Sequence, residues 1–220
     1  MLLWVPMVVC STKAQEIKGV SCFLKAGYIS SPGSALVFDQ IDNLEITDYY
    51  DHFLATGIEG NYRKDRALFG LEAHSGIQTT HIKGSAWAQP HLAGVHARIG
   101  WIVAGSHRYW IYPTVAGGMA YRTLTTYTKT ASGIMEDNYT RKLFTSSIDI
   151  GLNADYIIRY VRVEDQFGGV MAGLRIGYRT SLHNNYWKDK DGNLLDNISP
   201  MTNRAFYVTL NIGLGWFLEN

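Results

Sequence analysis

The chemistry this sequence offers lies in ionisable residues that recur two apart. Glu72 and His74 fall in one stretch, residues 67–76, and His96 and Arg98 in another, residues 92–103. A spacing of two turns such side chains to one face of a strand. If the two stretches pair across the connection at 77–91, Glu72 comes near His96, with His74 and Arg98 as diagonal neighbours. A carboxylate beside two imidazoles can move protons. The same groups can also fill an interior as an ion-pair network, which is the more economical reading. Ser181 and His183 are likewise two apart, the geometry a nucleophile and its base would need, although no acid partner can be assigned. His74 and Ser75 are adjacent, which puts them on opposite faces and spoils that pair. Asp189-Lys190-Asp191-Gly192-Asn193 alternates carboxylates as a hard cation prefers. Its glycine is misplaced for an EF-hand, and an Asp-Gly turn explains the run. No metal and no cofactor is expected.

The elements that must position these residues are strands. The closing stretch, 205–218, alternates strictly. Phe206, Val208, Leu210, Ile212, Leu214 and Trp216 share one face, and Thr209, Asn211, Gly213 and Gly215 the other. Seven more stretches behave alike, at about 18–29, 53–62, 67–76, 92–103, 108–122, 143–156 and 168–181. Pro113 sits badly in the fifth, and a bulge is expected near it. Residues 157–167 read either as strand extensions or as a loose turn. The connections alternate long and short, and no domain boundary appears.

Each strand has an apolar face and a second face of glycine and long polar groups. Lys25, Glu59, Glu72, His74, His96, Arg98, Arg122, Asp149, Arg175 and Arg179 lie on the second. Aromatic residues at the strand ends lie on the apolar face: Tyr28, Tyr62, Trp101, Tyr109, Tyr121, Tyr156, Tyr178 and Trp216. Amphipathic rings at both rims of an apolar band suit a membrane interface. A barrel closed around an apolar ligand, as in a soluble lipocalin, would instead bury those charges unpaired, at several kcal/mol each. The expected fold is therefore all-β, an eight-stranded antiparallel up-and-down transmembrane barrel with a polar, plugged interior. Short turns lie at one end and four long loops at the other.

Length and composition agree. The chain has 220 residues and a formal net charge of +1, so nothing points to nucleic acid. No apolar run approaches the roughly 18–20 residues of a membrane-spanning helix. Residues 1–14 read as a signal peptide cut before Gln15, and 15–220 as the barrel. Only Cys22 would remain after cleavage, too few for an internal disulfide.

With these features the chain resembles the small outer-membrane barrels of Gram-negative bacteria, the OmpX and OmpA transmembrane-domain type, with some similarity to barrels from Bacteroidetes. The resemblance rests on strand count, loop alternation, aromatic rims and the closing strand. It implies an outer-membrane location in contact with lipid, and insertion by the barrel-assembly machinery, which reads the last strand. Such strands commonly end in an aromatic residue, whereas here Leu218-Glu219-Asn220 follow Phe217. Some barrels of this size modify lipid A, which would give Ser181 and His183 a substrate. The expected role is non-enzymatic, structural or in surface interaction, with an envelope protein or glycan met by loops carrying Tyr49, Tyr50, Trp87, Tyr127, Tyr139, Tyr186 and Trp187. A lipid A hydrolase and a narrow channel are the alternatives.

Overall fold

Period-two alternation over this many residues closes into a ring. The eight strands are β1 (Ile17–Ser30), β2 (His52–Lys64), β3 (Ala67–Ile77), β4 (Ala86–Trp101), β5 (Tyr109–Lys129), β6 (Met135–Val163), β7 (Gln166–Ser181) and β8 (Arg204–Glu219). Each pairs antiparallel with the next. β1 then pairs back onto β8, from Ile17 opposite Glu219 to Ser30 opposite Phe206, so no sheet edge remains along the wall. Two-residue stubs, Thr80–His81 and Ala104–Gly105, add to β4 and β5. The computed structural model describes residues 16–31, 52–78, 80–81, 86–129, 135–183, 186–195 and 204–219. The signal-peptide stretch and loop residues Tyr49 and Tyr50 lie outside them.

The apolar face points outward. Leu24, Leu54, Leu71, Leu210 and Leu214 are 64–73% exposed. Such a continuous apolar wall is far larger than a soluble protein exposes, which removes the soluble ligand-binding barrel. Lipid is the solvent that fits, because a closed ring satisfies every backbone group of the wall internally. Tyr62, Trp101, Tyr109, Tyr156 and Trp216 ring the turn end on the outside; Tyr28, Tyr121 and Tyr178 lie toward the loop end. This is a transmembrane barrel of the outer-membrane type.

The short turns at Asp65-Arg66 and Glu164-Asp165 each begin with a left-handed residue, Asp65 at φ 54° and Glu164 at φ 52°. Pro113 causes no register shift against β6. It lies opposite the interruption between Trp101 and Ala104, where β5 has no neighbour needing its missing N–H. Residues 157–163 continue β6 past a bulge between Ile157 and Arg159. The strands around the expected loops at 77–91 and 123–142 run much further than their alternation suggests. β4, β5 and β6 stay paired to Ala86–Thr128 and Lys129–Met135. Beyond the bilayer neither face meets lipid, so threonine-rich pairing such as Thr125 with Thr140 replaces apolar alternation.

Candidate functional site: the barrel interior and its rims

Inward parity assembles a mesh of four cations and four carboxylates at mid-barrel: Lys25, Arg98, Arg175 and Arg179 against Glu59, Glu72, Asp149 and Asp155. Lys25 Nζ donates to Glu72 Oε2 at 2.6 Å and lies 3.3 Å from Glu59 Oε2. Arg98 is also paired with Glu59, and donates to Asn61 Oδ1 at 3.1 Å. Arg175 is wholly buried. It donates to Asp155 Oδ1 at 2.5 Å and to Glu59 Oε1 at 3.0 Å. Tyr112 donates to the other Asp155 oxygen at 2.7 Å. Arg179 donates to Asp149 Oδ2 at 2.8 Å, and the Tyr207 hydroxyl to Asp149 Oδ1 at 2.7 Å. Equal numbers of the two signs, each hydrogen-bonded, are what a dry interior requires.

Glu72 pairs in register with His96, and His74 stacks on the His96 ring at 5.4 Å. Glycine makes this possible: a Cβ at Gly94 would sit 2.6 Å from His74 Cε1, and one at Gly118 2.7 Å from His96 Cδ2. Glu72, His74 and His96 offer three ligand atoms within 4.8 Å of one another. Both Nε2 atoms are already engaged and His74 Nδ1 faces Glu72, while His96 Nδ1 has no hydrogen-bond partner among the described residues. Arg179 Nη1, which can only donate, gives a 2.7 Å hydrogen bond to His74 Nε2 and leaves the ring proton on Nδ1, 3.3 Å from Glu72 Oε1. His96 Nε2 meets Ser147 Oγ at 2.8 Å. A metal cation placed here would face Lys25, Arg98 and Arg179. The arrangement suits a charge-balanced plug better than a metal centre or a proton-transfer site.

The interior is polar only at its middle. Toward the turn end Phe23, Leu68, Ile102, Trp110, Tyr112, Ile157, Phe167, Met171 and Phe217 form an apolar plug. Phe217 packs on Phe167 at 5.3 Å and on Trp110 at 4.9 Å, and Arg63 caps the Trp110 ring at 4.7 Å. Toward the loop end Ile29, Phe53, Ala55, Leu92, Ala205 and Tyr207 form a second layer. Arg122 lies in that layer over Phe53, hydrogen-bonded to Ser31, outside the ionic mesh. The voids beside Arg179 measure about 10 and 20 Å³, room for about one water each.

Ser181 ends β7 facing the lumen, and His183 lies past the strand end, exposed, so the strand does not present them on one face. Asp189 Oδ1 accepts the backbone N–H groups of Asp191 and Asn193 at 2.8 Å each, and Oδ2 accepts Asn193 Nδ2 at 2.9 Å. With Gly192 at φ +90°, this is a self-satisfied turn. Those hydrogen bonds, the Asn193 side chain's foremost, hold the Asp189 carboxyl below its usual range. Of the loop aromatics, Trp187 is buried and Tyr186 exposed. Asp155, Tyr112 and Tyr207 are members of the mesh that the sequence did not single out; Asp155 was legible as the next inward position after Asn153.

Neither a protein-family model nor a curated protein matches the chain. Among solved structures it is similar to the attachment invasion locus protein Ail of Yersinia pestis, at 9% identity and a TM-score of 0.43, over 93% of this chain and 99% of that one. It is also similar to Neisserial surface protein A, at 11% and 0.36 over 92% and 97%, and to OprG of Pseudomonas aeruginosa, at 11% and 0.37 over 94% and 97%.

Proposed function

We propose that this barrel works from its outside, as a surface-interaction protein of the outer membrane whose lumen conducts nothing. The sealed interior carries this reading. A path through it would have to cross the aromatic plug, the ionic mesh and the layer around Phe53. Meanwhile β5 and β6 stay paired for seven residues past Arg122, about 23 Å of strand beyond the rim. Lys188 bridges onto Lys142 and Leu194 onto Lys188, which widens this platform. Its partner is an envelope protein or glycan. β8, with Trp216 toward lipid and Phe217 in the plug, is the strand offered to the barrel-assembly machinery.

Two measurements test this. The protein reconstituted in a planar bilayer gives no discrete conductance steps. Pull-down from intact outer membrane recovers a partner that is lost when the β5–β6 hairpin is trimmed to Arg122–Leu143 while the barrel still folds. Steady ion conduction, or a partner kept by the trimmed barrel, refutes the reading.

A further inference from the structure

The lipid-facing wall is hollowed near its turn end. Val20, Tyr62, Phe69, Ile99 and Val115 make a bulky outward row across β1 to β5. The next outward row toward the loops is Cys22, Gly60, Leu71, Ala97 and Gly117, in which Leu71 alone is large. A Cβ at Gly60 or Gly117 would meet nothing within 4 Å. One step further, Leu24, Ile58, Val95 and Met119 restore the bulk. A groove of about 930 Å³ lies over these strands. From Gly60 to Gly117 it crosses three strand spacings, about 14 Å. The strands of such barrels tilt by about 35–45°, so a row that follows the ladder also rises obliquely through the bilayer. Its length matches the hydrocarbon depth of one leaflet, about 15 Å.

Below the groove the same strands end in cations. Lys18 of β1 stands opposite Lys64 of β2, both on the outward parity of Val20 and Tyr62, and Arg66 is exposed in the turn that follows. Like charges set directly opposite repel one another. Glu16 lies 3.1 Å from Lys18 and offsets it. Lys64 and Arg66 form no ion pair among the described residues. The Asp65 side chain is turned to the Ile17 N–H, which it accepts at 3.2 Å. The Arg66 carbonyl accepts the Ile102 N–H at 2.8 Å, which holds this turn against the Trp101 end of β4. The turn between β6 and β7 is acidic instead, Glu164-Asp165, so the cationic corner belongs to the hollowed side. Lys64 lies two residues past Tyr62, about 7 Å. Tyr62 and Trp101 mark the margin of the hydrocarbon, which puts the cations at the level of lipid phosphates.

We propose that this corner binds an anionic phospholipid of the periplasmic leaflet, its phosphate held by Lys64 and Arg66 and one acyl chain laid in the groove over Gly60 and Gly117. Short turns face the periplasm in barrels of this type, so the leaflet follows from the position of the turn. The charge of the head group follows from the corner itself. An ethanolamine head group would bring an ammonium to carboxylates already engaged, Glu16 by Lys18 and Asp65 by the Ile17 amide. A second copy of the chain fits poorly, because a two-fold pairing would set hollow against hollow and Lys64 near its own counterpart.

The test places the full chain in vesicles of phosphatidylglycerol and phosphatidylethanolamine in equal amounts, with matched acyl chains. Native mass spectrometry of the released barrel counts the lipids it retains. Folding is checked by the heat-dependent gel shift of the intact barrel. The wild type retains phosphatidylglycerol in preference to phosphatidylethanolamine. Folded Lys64→Gln and Arg66→Gln each lower that preference about fivefold toward parity. Filling the groove with Gly60→Leu and Gly117→Leu together lowers retention of phosphatidylglycerol while leaving both cations in place. Arg159→Gln, which removes a charge from the turn end of β6, changes nothing. Equal retention of the two lipids by the wild type overturns the proposal, as does a preference that survives in folded Lys64→Gln and Arg66→Gln. Undiminished retention by the groove-filled barrel overturns the acyl seat, and a lipid-free particle of twice the chain mass gives the face to a second copy instead.

Discussion

Arg175→Met tests whether the mid-barrel mesh is a set of mutually dependent charges. Arg175 has no solvent exposure and is held between Asp155 Oδ1 at 2.5 Å and Glu59 Oε1 at 3.0 Å. Removing it does not strand Glu59, which keeps Arg98 and Lys25. Asp155 is left with the Tyr112 hydroxyl at 2.7 Å as its remaining strong partner. The loss is thus that of one buried, uncompensated carboxylate, about 3–5 kcal/mol. Methionine retains part of the packing over Phe23 and Tyr112, whose rings lie 5.3 and 5.5 Å from the guanidinium, so cavity formation adds little. The assay is urea unfolding of the barrel in lipid vesicles, followed by tryptophan emission. Adding Asp155→Asn to Arg175→Met removes the stranded charge, so the double variant is more stable than the sum of the single losses by about 1–3 kcal/mol. A single-variant loss under about 1 kcal/mol, or strict additivity of the pair, refutes the view that these charges hold one another.

Three further outcomes follow from the same geometry. Leu210→Lys, on the outward face at mid-strand and 68% exposed, costs about 2–4 kcal/mol in bilayer unfolding experiments; a neutral lysine there contradicts the lipid-facing orientation. Gly94→Val drives a side chain into His74, whose Cε1 would lie 2.6 Å from the new Cβ, and over-packing costs about 1–3 kcal/mol in the same titration. At the exposed turn, Asp189 has a folded-state pKa below its unfolded value, so its contribution is complete above the usual carboxylate value of about 4 and fades as pH falls through the folded one. Exchange protection of the Asn193 amide should therefore drop in acid and lose that pH dependence in Asp189→Asn; unchanged protection down to about pH 2 rules the mechanism out.

Much of the wall was legible in the sequence because the two sides of a transmembrane strand meet different solvents. Where lipid lies on one side and a packed lumen on the other, alternation is forced, and β8 displays it from Ala205 to Leu218. The extensions of β4, β5 and β6 were illegible for the same reason, since past the rim both faces of Thr123 to Lys129 lack a lipid contrast. Phe23, Trp110, Tyr112 and Phe217 fall on the inward parity of their strands, but parity carries no depth. Only the register stacks them into one layer below the charges.

Depth also explains why charge is tolerated at the middle of this barrel. Apolar layers at both ends keep water from the mesh, which lowers the local dielectric and strengthens each ion pair, while making any unpaired member expensive. A conducting pore has the opposite need, a wet interior whose charges can face a passing ion. Opening one here would require displacing the Phe167, Phe217 and Trp110 stack and separating Arg175 from both of its carboxylates. That coupling confines recognition to surfaces the mesh does not reach, the outer platform foremost, where a side chain can change without disturbing the eight balanced charges.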